Sequence, residues 1–426
     1  MRDYIKEAAE LLKSGKPVVV YGASGEGAVT VSRLIKQLGV APTCVCDSDP
    51  KKWHTRFLGI DVLPLDEVPT DTYIYISSRE YLFQIIGQLT EERGVSSERI
   101  LNYEPVTRRK SCIFLECKFK TMFNEFYFCN SDWGKRKSPF VAFDGDCEST
   151  LRKWVALRDQ LIGNIADGVP TSCDGCSWLR DDWFPTERRI RMINWSTGGI
   201  CNFNCSYCWA RTLYRDRDGL KMKQEIYAKP LHEAAERFGL LASAVTTEYG
   251  AGELALNPER GDFMKILKSG WGYCSANTAS NCSVYYEELA EACRDGKAYI
   301  ITSVDSGTRE TFKKIKGVDS FGKVRDNIKR YNDFAGYSTV QMKYIFLPGV
   351  NDNKADIEGF IELCQYTGTT TLVLAHDNAL PRDPIGGGNV VESASYMLEL
   401  AAKNGIMPII FSDKIRAALA QIKKEN

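Results

Sequence analysis

The sequence predicts an α/β protein whose C-terminal half is a partial (β/α)6 TIM barrel. From about residue 188 onward, short β-branched runs alternate with helical stretches, which is the pattern of a parallel sheet with helices outside it. Six such runs are expected, so the barrel stays open on one side. The first hundred residues start with a strand, a glycine turn and a helix, which indicates a Rossmann-like unit.

Composition narrows the classes of function. The chain has 426 residues, 44% of them hydrophobic, and equal numbers of basic and acidic residues at 55 each. This balance gives no support to a nucleic-acid surface. No apolar run approaches the roughly 20 residues of a membrane helix, and the N-terminus lacks the apolar segment of a signal peptide. Fifteen cysteines without an export signal indicate metal or redox use in a reducing cytosol, so we expect a cytoplasmic protein.

The texture of the chain changes twice, which predicts three parts. Residues 1–108 form the Rossmann-like domain, residues 109–185 a small cysteine-rich module, and residues 186–426 the partial barrel. These boundaries follow the shift from strand–helix alternation to a segment of cysteines and aromatics, and back again.

The N-terminal glycine turn is a candidate phosphate site. After the strand Val18–Tyr21, the glycines Gly22, Gly25 and Gly27 open a helix whose free N–H groups suit a phosphate. Asp47 ends the second strand, about 20 residues later, where a ribose hydroxyl is often bound. The order G-x-x-G-x-G departs from G-x-G-x-x-G, so the domain could equally bind nothing or dock a partner.

Three cysteines after the first barrel strand carry most of the functional information. Cys201, Cys205 and Cys208 have the spacing C-x3-C-x2-C, which packs three thiolates into one short loop. Compact cysteine runs hold iron–sulfur clusters. Three ligands leave one iron of a 4Fe–4S cube without a protein ligand, and an open position is where a metal site does chemistry. The overlapping spacing is poor for zinc, which commonly uses two C-x2-C pairs.

This run resembles the signature of the radical S-adenosylmethionine (SAM) superfamily. The resemblance implies that the open iron binds SAM and that an electron from the cluster cleaves SAM to methionine and a 5′-deoxyadenosyl radical. It implies a partial TIM barrel, and it makes Cys201, Cys205 and Cys208 the catalytic ligands. Tyr207 agrees with the family, because an aromatic residue usually precedes the third cysteine.

Later strand ends agree with the same resemblance. Gly250-Ala251-Gly252-Glu253 is similar to the family's G-G-E motif, which contacts the amino group of SAM. Ser303-Val304-Asp305 resembles the ribose-side strand. The cofactor-binding residues that the resemblance implies are Tyr207, Gly250, Gly252, Glu253, Asn277, Ser303 and Asp305.

The cysteine-rich middle resembles the auxiliary-cluster modules, called SPASM or twitch domains, of many radical SAM enzymes. The resemblance implies a second 4Fe–4S cluster on Cys117, Cys129, Cys173 and Cys176. Cys112 and Cys147 are spare cysteines, and either could replace a chosen ligand. In the family this module usually follows the core, whereas here it precedes it. A structural zinc or free buried cysteines remain alternatives.

The resemblance leaves the substrate open. We expect hydrogen abstraction from a small-molecule, sugar or glycan-precursor substrate, held by the N-terminal domain, with net oxidation or bond formation assisted by the auxiliary cluster. The expected partners are SAM, a small-molecule or nucleotide-linked substrate and an electron donor such as flavodoxin or ferredoxin. The alternatives are a peptide or protein maturase and a non-catalytic electron carrier. Side chains at strand ends that are candidates for acid–base chemistry are Tyr249, Cys274, Lys343 and His376.

Overall fold

The computed structural model describes most of the chain. The described residues are 3–122, 125–129, 139–196, 200–208, 228–250, 252–268, 276–377 and 389–425. Their secondary structure is mixed α/β, as the sequence predicts. It contains a five-stranded sheet, a ten-stranded sheet and a two-stranded ribbon.

The N-terminal sheet is built from short buried strands. Its strands are β1 (Val18–Tyr21), β2 (Cys44–Cys46), β3 (Arg56–Phe57), β4 (Ile60–Leu63) and β5 (Tyr73–Ile76), in the order β3-β4-β2-β1-β5. The central strand β1 pairs in parallel with β2 and β5 and is buried at every position, as its run of valines predicts. The helices here are α1 (Tyr4–Lys13), α2 (Gly25–Ser32) and α3 (Leu82–Gly87).

The ten-stranded sheet dominates the molecule. Its strands are β7 (Lys118–Met122), β8 (Glu125–Tyr127), β9 (Phe140–Ala142), β11 (Ile190–Ser196), β12 (Leu241–Gly250), β13 (Ala276–Ala279), β14 (Ala298–Ser303), β15 (Val340–Phe346), β16 (Thr371–His376) and β17 (Met407–Ile410). Strands β11 to β17 are parallel and lie side by side in chain order. This is the arrangement of consecutive β–α units.

Helices follow most of these strands. They are α4 (Ile113–Cys117), α5 (Cys147–Ala166), α6 (Ala228–Arg237), α7 (Arg260–Lys268), α8 (Glu287–Arg294), α9 (Arg309–Lys316), α10 (Phe321–Ala335), α11 (Lys354–Thr367), α12 (Val390–Lys403) and α13 (Asp413–Glu425). Local signals set their ends: Thr308 accepts from the Thr311 N–H at the start of α9, and Gly317 ends that helix with φ of +71°.

The structure differs from the sequence prediction in the strands of the large sheet and in one helix. A further parallel strand, β17, follows the six expected strands. The helical stretch after the cysteine loop predicts a helix over residues 226–242, but α6 ends at Arg237 and residues 241–242 belong to β12. The sequence also predicts the third strand near residues 272–275, which lie outside the described residues, and the described strand β13 begins at Ala276.

The cysteine-rich segment is continuous with the large sheet. Strand β7 pairs in parallel with β11, and β8 and β9 extend the sheet as an antiparallel meander. The ribbon β6 (Val106–Ser111) and β10 (Arg180–Pro185) brackets this segment in antiparallel pairing. The strands of the cysteine-rich segment therefore lie at one edge of the ten-stranded sheet.

One face of the large sheet is covered by helices. On that face Phe119 of β7 contacts Trp154 of α5, with ring centroids 5.2 Å apart, and Tyr249 of β12 contacts Phe263 of α7 at 5.1 Å. Neighbouring side chains along a strand point to opposite faces. The residues next to Phe119 and Tyr249 in their strands, such as Glu248, therefore point to the other face of the sheet, which we call the inner face.

The N-terminal domain packs against this inner face. The Gln341 side-chain amide of β15 donates to the Gly25 carbonyl at 3.0 Å, and the Arg79 guanidinium donates to the Tyr299 hydroxyl at 3.3 Å. Tyr299 and Gln341 are the second residues of β14 and β15. The N-terminal domain thus contacts the inner face near the amino-terminal ends of these strands.

Candidate functional site

The three-cysteine loop lies beyond the carboxyl end of β11, the edge where parallel sheets place their sites. Within the described stretch 200–208, Cys201 is exposed, while Cys205 and Cys208 are half-buried. Burial raises the pKa of the Cys201 thiol, and it raises that of Cys205 to about 11; the neighbouring cysteines add to both shifts. The thiols of Cys201 and Cys205 are thus near enough to the other loop cysteines to influence one another's ionisation.

The end of α9 holds the backbone of this loop. The Asn204 N–H donates to the Lys316 carbonyl at 2.8 Å, and the Ser206 N–H donates to the Ile315 carbonyl at 2.9 Å. The last carbonyls of a helix have no partner within it, so the loop uses them as acceptors. A Cβ at Gly317 would lie 2.9 Å from the Asn204 Cβ, which leaves room for glycine alone.

A buried ion pair contacts the loop at Tyr207. The Lys316 ammonium pairs with the Asp305 carboxylate and donates to the Tyr207 hydroxyl at 2.7 Å; Tyr207 in turn donates to Asp305. The Lys316 and Asp305 side chains are 2% and 0% exposed. Burial and the Asp305 charge raise the pKa of Tyr207 well above its usual value. We call Tyr207, Asp305 and Lys316 the loop triad.

The backbone fixes the position of Asp305. This residue has φ of +62°, a conformation that few residues other than glycine adopt. Its second carboxylate oxygen accepts from the Ile345 N–H at 2.8 Å, and its carbonyl accepts from the Asn351 amide at 2.8 Å. Both oxygens of the Asp305 carboxylate thus have partners within the protein, and in this structure the carboxylate supports the loop. Its predicted contact with SAM stays a prediction.

Glu253 connects the end of β12 to the same loop. The Glu253 N–H donates to the Ile200 carbonyl at 2.8 Å, and its buried carboxylate accepts from the Ser280 hydroxyl at 2.9 Å and the Asn281 N–H at 2.6 Å. Burial raises the pKa of this carboxyl. The Asn281 side-chain amide lies 3.5 Å from the Cys201 sulfur. The second strand end therefore reaches the cysteines through Asn281.

The remaining predicted cofactor residues lie around the loop. Gly250 ends β12, and Gly252 has φ of +121°, which favours glycine; Ala251 between them lies outside the described residues. Ser303 ends β14 and hydrogen-bonds Tyr207. Asn277 lies in the middle of β13, paired with Glu248 on the inner face. The structure therefore gathers these residues on neighbouring strands.

The four candidates for acid–base chemistry have different surroundings. Tyr249 is buried on the helix-covered face, where its hydroxyl accepts from the Asn257 amide at 2.8 Å, so it does not face the loop. Lys343 pairs with Ser303 across β14 and β15, and burial lowers its pKa. The His376 Nδ1 lies 2.5 Å from the Ser412 hydroxyl. Cys274 lies outside the described residues.

The middle cysteines form a second thiol group. Burial and the charges of Cys129 and Cys176 raise the pKa of Cys112 to about 11, and Cys173 is influenced by the same two residues. Cys112 directly follows β6, whose Ser111 pairs with Arg180, and the Cys173–Cys176 turn lies shortly before that residue. The grouped residues are thus Cys112, Cys129, Cys173 and Cys176.

The two other middle cysteines lie elsewhere. Burial raises the pKa of Cys117 to about 12, and the group that most opposes this shift is Arg191, which hydrogen-bonds the thiol. Cys147 begins α5 beside Asp144 and Asp146. The charges that act on Cys112 thus include those of Cys129 and Cys176, and the predicted ligand set with Cys117 stays a prediction.

Among the residues that the structure describes, no three Cys, His, Asp or Glu side chains lie so that they could hold one metal ion.

Groups of the protein itself fill the space around the N-terminal glycine turn. The Asp47 carboxylate accepts from the Ala23 N–H at 2.8 Å and from Lys52 at 2.9 Å. A Cβ at Gly27 would lie 1.9 Å from the Gly22 carbonyl oxygen, and one at Gly25 would lie 2.5 Å from Ile409 of the barrel. These glycines allow close packing within the domain and against the barrel. This geometry does not favour the phosphate-binding interpretation.

Several site residues have no signal in the sequence. Lys316, Asn281 and Arg191 lie far along the chain from the groups they contact, and none belongs to a recognisable motif.

In the helices that the structure describes, no segment is long and apolar enough to span a membrane.

Comparison with known proteins finds a family that the region of this site resembles. Residues 195–364 match the family model described as "Radical SAM superfamily". A probable GTP 3′,8-cyclase of Saccharolobus islandicus is 28% identical over 192 residues, covering 45% of this chain and 56% of the relative. An uncharacterised protein of Methanocaldococcus jannaschii is 30% identical over 158 residues, covering 36% and 47%. The chain thus spans about half the length of the curated relatives it matches.

Solved structures give a weaker likeness. A radical SAM methyltransferase from Sphaerobacter thermophilus aligns with a TM-score of 0.39 at 17% identity, over 52% of this chain and 66% of the other. Streptococcus suis SuiB bound to the precursor peptide SuiA aligns with a TM-score of 0.43 at 9% identity, over 68% and 60%. The matched family implies a 4Fe–4S cluster and SAM as cofactors. Residues 195–364, which include the three-cysteine loop, are therefore similar to a radical SAM domain.

Proposed function

We propose that the protein reductively cleaves SAM and uses the resulting radical to abstract hydrogen from a small-molecule, sugar or glycan-precursor substrate. The observation that carries this proposal is the three-cysteine loop, held at the carboxyl edge of a parallel sheet by α9 and by Glu253. Cys201, Cys205 and Cys208 would hold the cluster, and Gly250, Gly252, Glu253, Asn277 and Ser303 are the proposed SAM contacts. When bound, the cluster and SAM supply a 5′-deoxyadenosyl radical.

The chain's own residues prepare the thiols for metal binding. A thiol must lose its proton to become a ligand, and burial opposes this loss at Cys205. The Lys316 ammonium lowers the Cys205 pKa and so offsets part of that cost. The Asn281 amide next to the Cys201 sulfur favours the thiolate there in the same way. Lys316 and Asn281 thus reduce the cost of ionising these partly buried thiols when a metal binds.

We further propose an auxiliary 4Fe–4S cluster on Cys112, Cys129, Cys173 and Cys176. Lys120 of β7 lies close enough for its charge to interact with Cys129, and Lys120 belongs to the inner face. The second thiol group therefore adjoins the inner face. A cluster held by these four cysteines would supply an electron acceptor close to a substrate on that face, which suits net oxidation or bond formation. The reducing electron would come from a donor such as flavodoxin or ferredoxin.

The small-molecule class is favoured by the relatives. The Saccharolobus relative is a probable GTP 3′,8-cyclase, and GTP is a small-molecule nucleotide. The residues that match the family model, 195–364, include the three-cysteine loop, so that likeness concerns the site that would meet the substrate. A peptide substrate is the alternative, but the described residues give it no specific support.

Electron paramagnetic resonance tests this proposal. Anaerobically reconstituted and reduced protein should give a 4Fe–4S signal that changes when SAM is added, because SAM binds the iron that lacks a cysteine. The triple variant Cys201→Ala, Cys205→Ala, Cys208→Ala should lose the SAM-dependent change. Cys364→Ala, in the buried interior of α11, is the matched control and should keep it. A wild-type spectrum that does not respond to SAM would contradict the proposal.

A further inference from the structure

The turn that follows β13 has an unusual backbone conformation beside the cysteine loop. Within the turn Ser280–Ser283, Cys282 has φ of +55°, a conformation that few residues other than glycine adopt. Such a residue costs free energy and persists only where its surroundings impose the conformation. The contacts of this turn therefore show which position the structure maintains.

Contacts on both sides of Asn281 fix the backbone of the turn. The Cys282 N–H donates to the Ser280 hydroxyl at 3.0 Å, and the Cys282 carbonyl accepts from the Asn327 amide of α10 at 2.8 Å. The buried Glu253 carboxylate accepts from the Ser280 hydroxyl at 2.9 Å and from the Asn281 N–H at 2.6 Å. The Asn281 side chain thus projects from a backbone that is held in one place.

The Asn281 side chain takes part in a closed ring of hydrogen bonds with the cysteine loop. Its Oδ1 accepts from the Ser283 N–H at 2.9 Å, and its Nδ2 donates to the Asn202 Oδ1 at 2.9 Å. The Asn202 Nδ2 donates to the Ser283 hydroxyl at 2.8 Å, which closes the ring. Because a backbone N–H can only donate, the Asn281 oxygen must face Ser283. The NH2 group of Asn281 is therefore the half that faces the loop.

This NH2 group also donates to a cysteine of the loop. The Asn281 Nδ2 lies 3.5 Å from the Cys201 sulfur, and the Phe203 N–H donates to the same sulfur at 3.4 Å. One of these donors comes from the loop itself, and the other comes from a different strand end. The Cys201 sulfur thus accepts hydrogen bonds from two donors of the protein.

The turn by itself does not require an amide at this position. An asparagine or aspartate oxygen that accepts from the N–H two residues later is a common device of turns, and either residue supplies it. Asn281 makes this contact with its oxygen. Its NH2 group contacts Asn202 and Cys201 of the loop instead. The donor half of the side chain therefore serves the loop.

A donor at a ligand sulfur acts on the electron affinity of a cluster. Hydrogen bonds to the sulfurs and net charge set the reduction potential of an iron–sulfur cluster. Reduction adds negative charge that the sulfurs share, and hydrogen bonds to more negative acceptors are stronger. A donor at the Cys201 sulfur therefore raises the reduction potential, whereas a carboxylate in the same place would lower it.

We propose that Asn281 is a positioning residue that raises the reduction potential of the cluster on Cys201, Cys205 and Cys208 through its hydrogen bond to the Cys201 sulfur. This inference rests on the proposed function, because it concerns the cluster that would cleave SAM. In the step concerned, one electron passes from the electron donor to the cluster, and no bond forms or breaks. With Asn281 in place, the cluster accepts this electron from a weaker reductant.

A redox titration followed by electron paramagnetic resonance tests the inference on the full, anaerobically reconstituted chain. The signal that changes when SAM is added to a parallel sample identifies the loop cluster. In Asn281→Ala, which lacks the donor, the ratio of reduced to oxidised cluster at a fixed potential should fall about threefold or more, a fall of about 30 mV for a one-electron couple. Asn281→Asp keeps the oxygen that faces Ser283 but adds a negative charge, so its ratio should fall about tenfold or more, or about 60 mV.

A matched variant and iron analysis separate this role from a structural one. Asn404→Asp makes the same amide-to-carboxylate change at the exposed end of α12, near the amino-terminal edge of the sheet, and should keep the wild-type potential. If Asn281 only held the turn together, Asn281→Ala would lose iron while its remaining clusters kept the wild-type potential. Where Asn281→Ala holds no iron, Asn281→Asp decides, because it keeps the contact with Ser283.

The outcomes also distinguish this inference from the proposed function. A SAM-responsive cluster whose potential is unchanged in Asn281→Ala, or in Asn281→Asp, would overturn the inference and leave the proposed function standing. A wild-type protein without a SAM-responsive cluster would overturn both. A potential that falls from the wild type to Asn281→Ala and again to Asn281→Asp, with Asn404→Asp unchanged, is the result that we expect.

Discussion

At the scale of single residues, the loop triad explains how a short cysteine loop is held in place. Lys316 donates its ammonium to Asp305 and Tyr207, while its carbonyl accepts from the loop at Asn204. One residue therefore supports both the backbone of the loop and its only tyrosine. Because the side chains of this ion pair are almost completely buried, removing one partner leaves the other uncompensated.

Lys316→Met should therefore destabilise the protein by about 3–5 kcal/mol, since Asp305 would remain buried without its cation. The core cluster should also be lost or reduced, because the loop loses its support. Chemical denaturation and iron analysis measure the two effects. Lys313→Met is the matched control: Lys313 is exposed on the same helix, so its loss should change stability by no more than about 0.5 kcal/mol. Equal stability and iron content in the two variants would contradict the role of the triad.

The second thiol group gives another prediction at this scale. With both clusters present the protein should hold about eight irons. Cys112→Ser should retain only about four, because Cys112 lies with Cys129 and Cys176. Cys117→Ser should keep the full content, since Cys117 lies with Arg191. Iron loss in Cys117→Ser alone would restore the original assignment, and stoichiometric zinc would exclude the auxiliary cluster.

Spacing predicted some of these residues and could not predict others. The three loop cysteines are contiguous in the chain, so their grouping can be predicted from sequence alone. The choice between Cys112 and Cys117 depends on which side of α4 faces the Cys173–Cys176 turn, and spacing does not contain that information. Asp305 was assigned to SAM from its place in a motif. Its burial against Lys316 depends on the fold of α9 and could not be predicted from that motif.

At the scale of elements, the turn after β14 is pressed against α11. A Cβ at Gly307 would lie 2.2 Å from the Asp356 carbonyl oxygen and 2.3 Å from the Phe360 nitrogen. These are backbone atoms and cannot rotate away. The same turn carries Asp305, so the contact between the two elements also determines where the loop triad lies.

Gly307→Ala should destabilise the protein by about 1–3 kcal/mol through overpacking, and it should lower SAM cleavage because Asp305 moves with the turn. Gly163→Ala is a control of opposite sign. Gly163 is exposed within α5 with open space around it, so alanine there should stabilise the protein by about 0.5–1 kcal/mol. Thermal denaturation and product analysis give both results. An unchanged Gly307→Ala variant would show that the turn can relax.

The elements themselves could largely be predicted from their hydrophobic runs. Valine-rich β1 and the strands β14 to β16 follow such runs closely. Strand β17, Met-Pro-Ile-Ile, was missed because it is short, contains proline and is nowhere fully buried. Strand β7 carries Lys118 and Lys120 on the inner face. Because of these charges the segment lacks the continuous hydrophobic run that would predict a strand of the large sheet.

At the scale of the whole molecule, the N-terminal domain closes one end of the inner face. Its glycine turn contacts Gln341 and Ile409 of the barrel, and its Arg79 reaches Glu248. The N-terminal domain thus covers part of the inner face, from Ile409 to Glu248. This arrangement could not be predicted from the glycine motif, because the motif does not show which surface covers it.

Gly25→Val should loosen this domain contact, because a Cβ there would lie 2.5 Å from the Ile409 methyl group. Limited proteolysis should then separate residues 1–108 from the barrel faster than in the wild type. Calorimetry with nucleotides should detect no saturable binding in either protein. Nucleotide binding by the wild type that Gly25→Val abolishes, with unchanged proteolysis, would instead support a phosphate site in the turn.

We propose that the three-cysteine loop makes this chain a SAM-cleaving enzyme. The formation of 5′-deoxyadenosine tests this proposal most directly. Anaerobically reconstituted protein is incubated with SAM and dithionite, and the product is quantified by mass spectrometry. We predict that the wild type and Cys364→Ala form 5′-deoxyadenosine and that the triple variant of Cys201, Cys205 and Cys208 forms none. The same yield from the triple variant, or no product from a wild-type protein that holds its full iron content, would contradict the account.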